Sequence, residues 1–213
     1  MHPLVSRRAL LFAPLSTPKA EVWKFDRLDR IAKHKCSILG QPKVISTKNG
    51  KAVEFNGETD AIFLDTHPLA GAATWTWEVI FCPYRGGRPE QRFFHLQESG
   101  SQSRLLLETR LIGDQWCLDS FAASSADKQT LIDRTLLHPL DEWHHVAFRY
   151  DGQELCHFVN HKLELSAKVN LTPQREGKCS VGVRINKVDY FKGAVRWAKF
   201  TRSPLPKNQF QTW

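Results

Sequence analysis

The sequence predicts an all-β protein of the sandwich or barrel class. Three observations carry that expectation. Apolar residues recur at every second position in short runs, Gly, Asn, Asp and Pro bound the runs, and helical periodicity is nearly absent. The composition agrees, because seven tryptophans and thirteen phenylalanines among 213 residues suit pleated surfaces, on which aromatic side chains pack well. With 41% hydrophobic and 24% charged residues the chain can bury a real core, which excludes a disordered polymer.

The elements follow in order. Residues 20–25 form a first strand, and 28–39 hold a turn of helix and another short strand. Residues 50–57 (GKAVEFNG) run into an Asn-Gly turn, and 61–64 form the next strand. Residues 74–83 (TWTWEVIFCP) alternate strictly: Trp75, Trp77, Val79 and Phe81 point one way, Thr76, Glu78 and Ile80 the other. Strands at 91–98, 104–112 and 115–122 come next, the last two joined by a turn at Gly113 and Asp114. A short strand covers 130–134. Strands 143–150 and 154–159 flank Asp151-Gly152, a strong hairpin signal. Asn160-His161 makes a second tight turn into 163–169, and strands over 178–186 and 190–200 close the sheet.

The net charge of +8 favours anionic partners: acidic polysaccharide, nucleic acid or a membrane surface. The basic residues are scattered, however, and zinc-finger spacing and common RNA-binding signatures are both missing. Nucleic acid is therefore not expected, and a solvated basic surface is the plain alternative. No stretch reaches the ~18 apolar residues that a membrane span takes, so no membrane insertion is expected.

Residues 1–19 form an N-terminal arm or a weak export-signal-like segment, and 20–213 a single domain. Ser6-Arg7-Arg8-Ala9-Leu10-Leu11 looks like the start of a twin-arginine signal, while Pro14 interrupts the short apolar run behind it. An export signal implies a secreted or periplasmic protein; an arm implies a cytoplasmic one. The cysteines, Cys36, Cys82, Cys117, Cys156 and Cys179, are odd in number and include no CxxC pair. They are expected as free core thiols, with no disulfide framework and no zinc site. Four of the nine histidines fall between residues 141 and 164. Adjacent His144 and His145 point to opposite faces of one strand, so they cannot share a metal, and this stretch is expected to be a scaffold hairpin.

Several segments, in order, resemble the concanavalin A-like, laminin-G-like jelly roll. They are GKAVEFNG (50–57), TWTWEVIF (74–81), EWHHVAFRYDG (142–152) and FKGAVRWAKF (191–200) with Ser203-Pro204-Leu205. The third is the most specific, and the likeness covers roughly residues 20–210. It implies two antiparallel sheets packed face to face, one convex and one concave. Because the family spans glycan-binding modules, adhesion modules, glucanases and lyases, the fold alone leaves function open.

Strand parity locates the candidate site. If the relevant strands are neighbours in the concave sheet, one surface holds Glu78, His95, Gln97, Glu108, Arg110, Asp119, Arg184 and Asn186. Arginine grips a uronate carboxylate through two parallel hydrogen bonds, and amides and carboxylates engage hydroxyls. The expectation is a carbohydrate-recognising domain that binds a polysaccharide or glycan, anionic ones included, on this face. An ordinary sheet surface laced with ion pairs is the structural alternative.

Two other functions stay open. A polysaccharide lyase needs a base, a neutraliser and an acid; His95, then Gln97 with Arg110 or Arg184, then Tyr190 would fill these roles. The segments Arg104–Arg110, Phe93–Gln97 and Tyr190–Gly193 are loosely similar to jelly-roll alginate-lyase motifs, with the first two in the opposite order. The one-strand carboxylate pattern of the jelly-roll glucanases is missing, so hydrolysis rests only on Glu78 meeting Glu108 or Asp119 through the fold. A protein-interaction or adhesion module is the last reading. No cofactor is expected; structural calcium would draw on Glu58, Asp60 and Asp65 near turns.

Overall fold

The computed structural model describes residues 19–212. The export-signal or arm reading of the N-terminus lies outside the described residues, apart from Lys19. The first half of the chain carries β1 (Ala20–Lys24), β2 (Arg30–Ile31), β3 (His34–Lys35), β4 (Ser37–Leu39), β5 (Lys43–Thr47), β6 (Gly50–Asn56) and β7 (Ala61–Leu64). Four long strands follow: β8 (Trp75–Pro83), β9 (Glu90–Glu98), β10 (Arg104–Ile112) and β11 (Gln115–Ala123). The rest are β12 (Lys128–Ile132), β13 (His138–Pro139), β14 (His144–Tyr150), β15 (Glu154–Val159), β16 (Lys162–Lys168), β17 (Gly177–Val181) and β18 (Lys192–Thr201).

These strands build the expected two-sheet antiparallel sandwich. The first sheet runs β16-β15-β14-β8-β18-β6-β5, with β1 also on β18; the second runs β12-β11-β10-β9-β17-β7-β4, with β13 on β11. Their inner faces meet over an aromatic core. Phe94 sits edge-on to Trp77 at 5.1 Å, and Phe81 stacks on Phe93 at 4.1 Å. Trp116 meets Phe81 edge-on and donates its indole N–H to the carbonyl of Pro139, which satisfies the one polar atom of a fully buried ring.

Two local expectations are corrected, for residues 28–39 and 178–186, and two further features appear. Residues 28–39 form three short strands and no helix. A strand at Lys43–Thr47 joins the edge of the first sheet. On β9, Phe93 does not share a face with His95: a bulge opposite Leu107 and Glu108 turns both Phe93 and Phe94 into the core, since a bulge shifts the two-residue alternation by one. The strand expected over 178–186 ends at Val181. Gly182 has φ +85°, and a Cβ there would lie 2.4 Å from the Phe55 ring. The chain turns away at this glycine, so residues 182–191 form a loop beside β9.

The histidine hairpin follows the alternation. His144 faces inward and donates from Nε2 to the Pro139 carbonyl at 2.9 Å, while His145 faces outward toward Glu78 at 3.1 Å. On the outer face of the first sheet the C-terminal segment packs down. Phe210 sits edge-on to Phe158, Leu205 joins the same cluster, and the Gln211 N–H donates to Glu78 at 2.6 Å.

Candidate functional site

The outer face of the second sheet is built in rows. Facing residues on neighbouring strands stand side by side, one step of ~4.8 Å apart. The register aligns Lys178, Gln97, Arg104, Ala123 and Lys128 across β17, β9, β10, β11 and β12. One step along the strands, on the same face, come Ser180, His95, Leu106, Phe121 and Thr130. Beyond them lie Arg92, Glu108, Asp119 and Ile132. This face is recessed: His95, Glu108 and Asp119 alternate with core residues, yet they are only 1%, 3% and 3% exposed.

The third row is a closed ion-pair lattice. Arg110 lies 2.9 Å from Glu108, 2.9 Å from Glu90 and 2.5 Å from Asp119. Arg92 lies 3.0 Å from Glu108 and also pairs with Asp189 of the 182–191 loop. Burial, and then the neighbouring Asp119 carboxylate, push Glu108 up to about 7 against the pull of both arginines. Burial raises Asp119 as well, opposed by Arg110. A raised carboxyl beside a second carboxylate resembles a glycosidase pair. Here both groups are buried and held by guanidinium groups, so the lattice acts as scaffold and offers no open reacting position.

His95 stands between this lattice and the first row. The Ile185 N–H donates to its Nδ1 at 3.0 Å. With Nδ1 accepting, the proton of the neutral ring sits on Nε2, and Nε2 is buried with no partner among the described residues. Burial, followed by the charges of Arg184 and Arg104, drives the imidazole down to about 3. His95 is therefore a neutral N–H donor with no lone pair free for a general base. Gln97 is turned aside and donates to the Ser101 carbonyl at 2.8 Å.

At the β12 end lies an open depression of 1090 Å³, lined by Ser101, Ser103, Arg104, Phe121, Lys128 and Thr130 among others. The Arg104 guanidinium lies 4.6 Å from the centre of the Phe121 ring and donates to the Gln102 carbonyl at 2.8 Å. Burial, and then Arg184, hold Arg104 below the usual guanidinium range. An aromatic ring, hydroxyls and cations converge there.

Five of the expected site residues, His95, Gln97, Glu108, Arg110 and Asp119, do share this face. Three do not sit as expected. Glu78 belongs to the first sheet and binds His145, Lys199 and the Gln211 N–H behind the other face of the sandwich. Arg184 and Asn186 ride on the loop after Gly182, where Asn186 is exposed. Tyr190 is half-buried in that loop, and its hydroxyl makes no hydrogen bond to another described residue. Of the carboxylates named for calcium, Asp60 accepts the Gln41 and Asn56 N–H groups at 2.8 and 3.1 Å, and Asp65 is exposed beside Lys178. All five cysteines are free thiols.

Sequence reasoning missed Arg92, Arg104, Phe121, Lys128 and Lys178. Arg104 and Phe121 were legible as members of the stripes that carry Glu108 and Asp119. Lys128 and Lys178 join them only through cross-strand register, and Arg92 only through the β9 bulge.

Residues 56–209 match the family described as the concanavalin A-like lectin/glucanases superfamily. No curated protein matches the chain in sequence. Among solved structures, domain 4 of AbnA, an extracellular arabinanase from Geobacillus stearothermophilus in complex with arabinotriose, superposes with a TM-score of 0.65 at 17% identity, covering 88% of this chain and 94% of that one. The binding domain of botulinum neurotoxin DC in complex with SialylT gives 0.64 at 10% identity over 88% and 48%. The binding domain of Paraclostridial Mosquitocidal Protein 1 gives 0.67 at 8% over 88% and 50%. The chain thus spans about half of each toxin binding domain. At these identities the likeness is one of fold.

Proposed function

Because the chain belongs to the concanavalin A-like lectin/glucanases superfamily, we propose that it is a carbohydrate-recognising domain whose ligand lies on the outer face of the second sheet. The depression at Arg104 and Phe121 carries this reading. An aromatic ring suits the C–H face of a sugar, while Ser101, Ser103 and Thr130 supply hydroxyls to meet its own. The arabinotriose complex of the structurally similar arabinanase domain supports the same class of ligand.

The state of His95 favours binding over catalysis. A lyase base needs a free lone pair at the working pH, and His95 spends its own on Ile185. The test is calorimetry with a panel of neutral and acidic oligosaccharides, alongside assays of reducing-end release and of unsaturated-uronate absorbance. Binding without turnover is the expected result, and Phe121→Ala should weaken it about tenfold, as loss of a stacked ring does. Turnover of any polymer, or full affinity in Phe121→Ala, overturns the reading.

A further inference from the structure

We propose that the ligand is an acidic polysaccharide laid across the strands, its carboxylate or sulfate groups held by the row Lys178, Arg104 and Lys128 and by Arg184. The inference rests on the carbohydrate reading above and narrows its ligand class.

The spacing is the first ground. Lys178 and Arg104 stand two strands apart, with Gln97 between them; Arg104 and Lys128 stand two strands apart, with Ala123 between them. Two inter-strand steps make ~10 Å. An extended polymer with an anionic group on every second sugar repeats on this length scale, so one chain meets three cations in register.

The charge balance is the second. Arg92 and Arg110 on this face each form ion pairs with several carboxylates. Arg104, Lys128 and Arg184 make no ion pair among the described residues, and Lys178 has only exposed Asp65, at 3.5 Å. Asp127 on the rim of the depression is engaged by the Lys128 N–H at 2.8 Å. The fold therefore neutralises the third row of the face and leaves the first row, beyond His95, positive.

The third ground is His95. Its Nε2–H is a buried donor with no partner, one row from Arg104 and directly beside the loop that carries Arg184. An unpaired buried donor costs free energy; an anionic oxygen brought in by a ligand, with a small shift of the loop, would satisfy it.

Calorimetry on the whole chain tests this with length-matched oligomers: hyaluronan for carboxylate, heparin for sulfate, cello-oligosaccharide as neutral control, and single-stranded DNA. At least one acidic glycan should bind, more weakly as salt screens the row. Lys128→Glu and Arg184→Glu, both at solvent-accessible positions, should each lower that affinity about tenfold, while Lys128→Arg and Arg184→Lys retain it. The hyaluronan and heparin arms separate carboxylate from sulfate. Equal binding of cello-oligosaccharide, unaffected by the variants, overturns the acidic-ligand inference and leaves the carbohydrate reading intact. If no glycan binds, both fall. DNA binding as tight as the best glycan overturns it in favour of a general polyanion surface.

Discussion

The backbone N–H of Ile185 donates to Nδ1 of His95 over 3.0 Å. This contact joins a loop to a strand and decides the chemistry of the ring, because it sets the proton on Nε2 and leaves a donor where a base was expected.

The tautomer is directly measurable. Nitrogen NMR of the imidazole should report a neutral Nε2–H ring at pH 7 that stays neutral well below pH 6, since its pKa lies near 3. A lowered pKa contributes stability above the ordinary value of 6.5, and that contribution is lost as pH falls through 3. Burial drives His157 down to about 3 as well, so it acts in the same window. Stability should thus fall from pH 6.5 towards 3. His95→Asn, which keeps an acceptor near Ile185, should flatten the fall by about one proton. An unchanged slope in urea titrations across that range counts against the assignment.

Arg110 bridges Glu108 and Asp119 at 2.9 and 2.5 Å. Arg110→Met leaves two buried carboxylates facing each other and should cost about 3–5 kcal/mol in chemical denaturation. The Glu108→Gln variant behaves differently with pH. Glu108 has a raised pKa, so its favourable contribution is present below 4.5 and lost as pH rises through 7. Removing the titration should make the variant less sensitive to pH between 4.5 and 7.

Gly182 starts the loop that carries Arg184 and Ile185. Its φ of +85° and the 2.4 Å approach of the Phe55 ring leave no room for a Cβ. Gly182→Ala should destabilise by about 1–3 kcal/mol and release the His95 contact. The NMR signature is a His95 pKa rising toward 6.5; a pKa still near 3 would show that the loop keeps its place.

The C-terminal segment lies over the first sheet, away from the candidate site. Leu205 donates its N–H to Thr76 at 2.8 Å and Phe210 is 5% exposed. Phe210→Ala should cost about 3 kcal/mol of stability while leaving glycan affinity unchanged. A parallel loss of affinity would place the ligand on the wrong sheet.

Much of this fold was legible because side chains in a strand alternate. Trp75, Trp77, Val79 and Phe81 declared one buried face, and Glu108 and Arg110 declared another surface, by their spacing alone. Alternation assigns a residue to a side of its own strand and says nothing of which sheet the strand joins. Glu78 was read on the correct side of β8, yet β8 pairs with β14 and β18, so its side chain emerges behind the other sheet. Local breaks escaped for a related reason. The bulge that turns both Phe93 and Phe94 inward and the turn at Gly182 are settled by neighbours distant in sequence, Leu107 and Phe55.

By itself, then, the sequence determined the β class, most strands and the inward residues, because these depend on spacing along one chain. Only the tertiary structure decided that Lys178, Arg104 and Lys128 stand in one row, that Glu78 leaves the face, and that His95 is a donor. Each of these depends on register between strands or on a loop folding back, and such contacts are fixed by the packing of residues far apart in the chain.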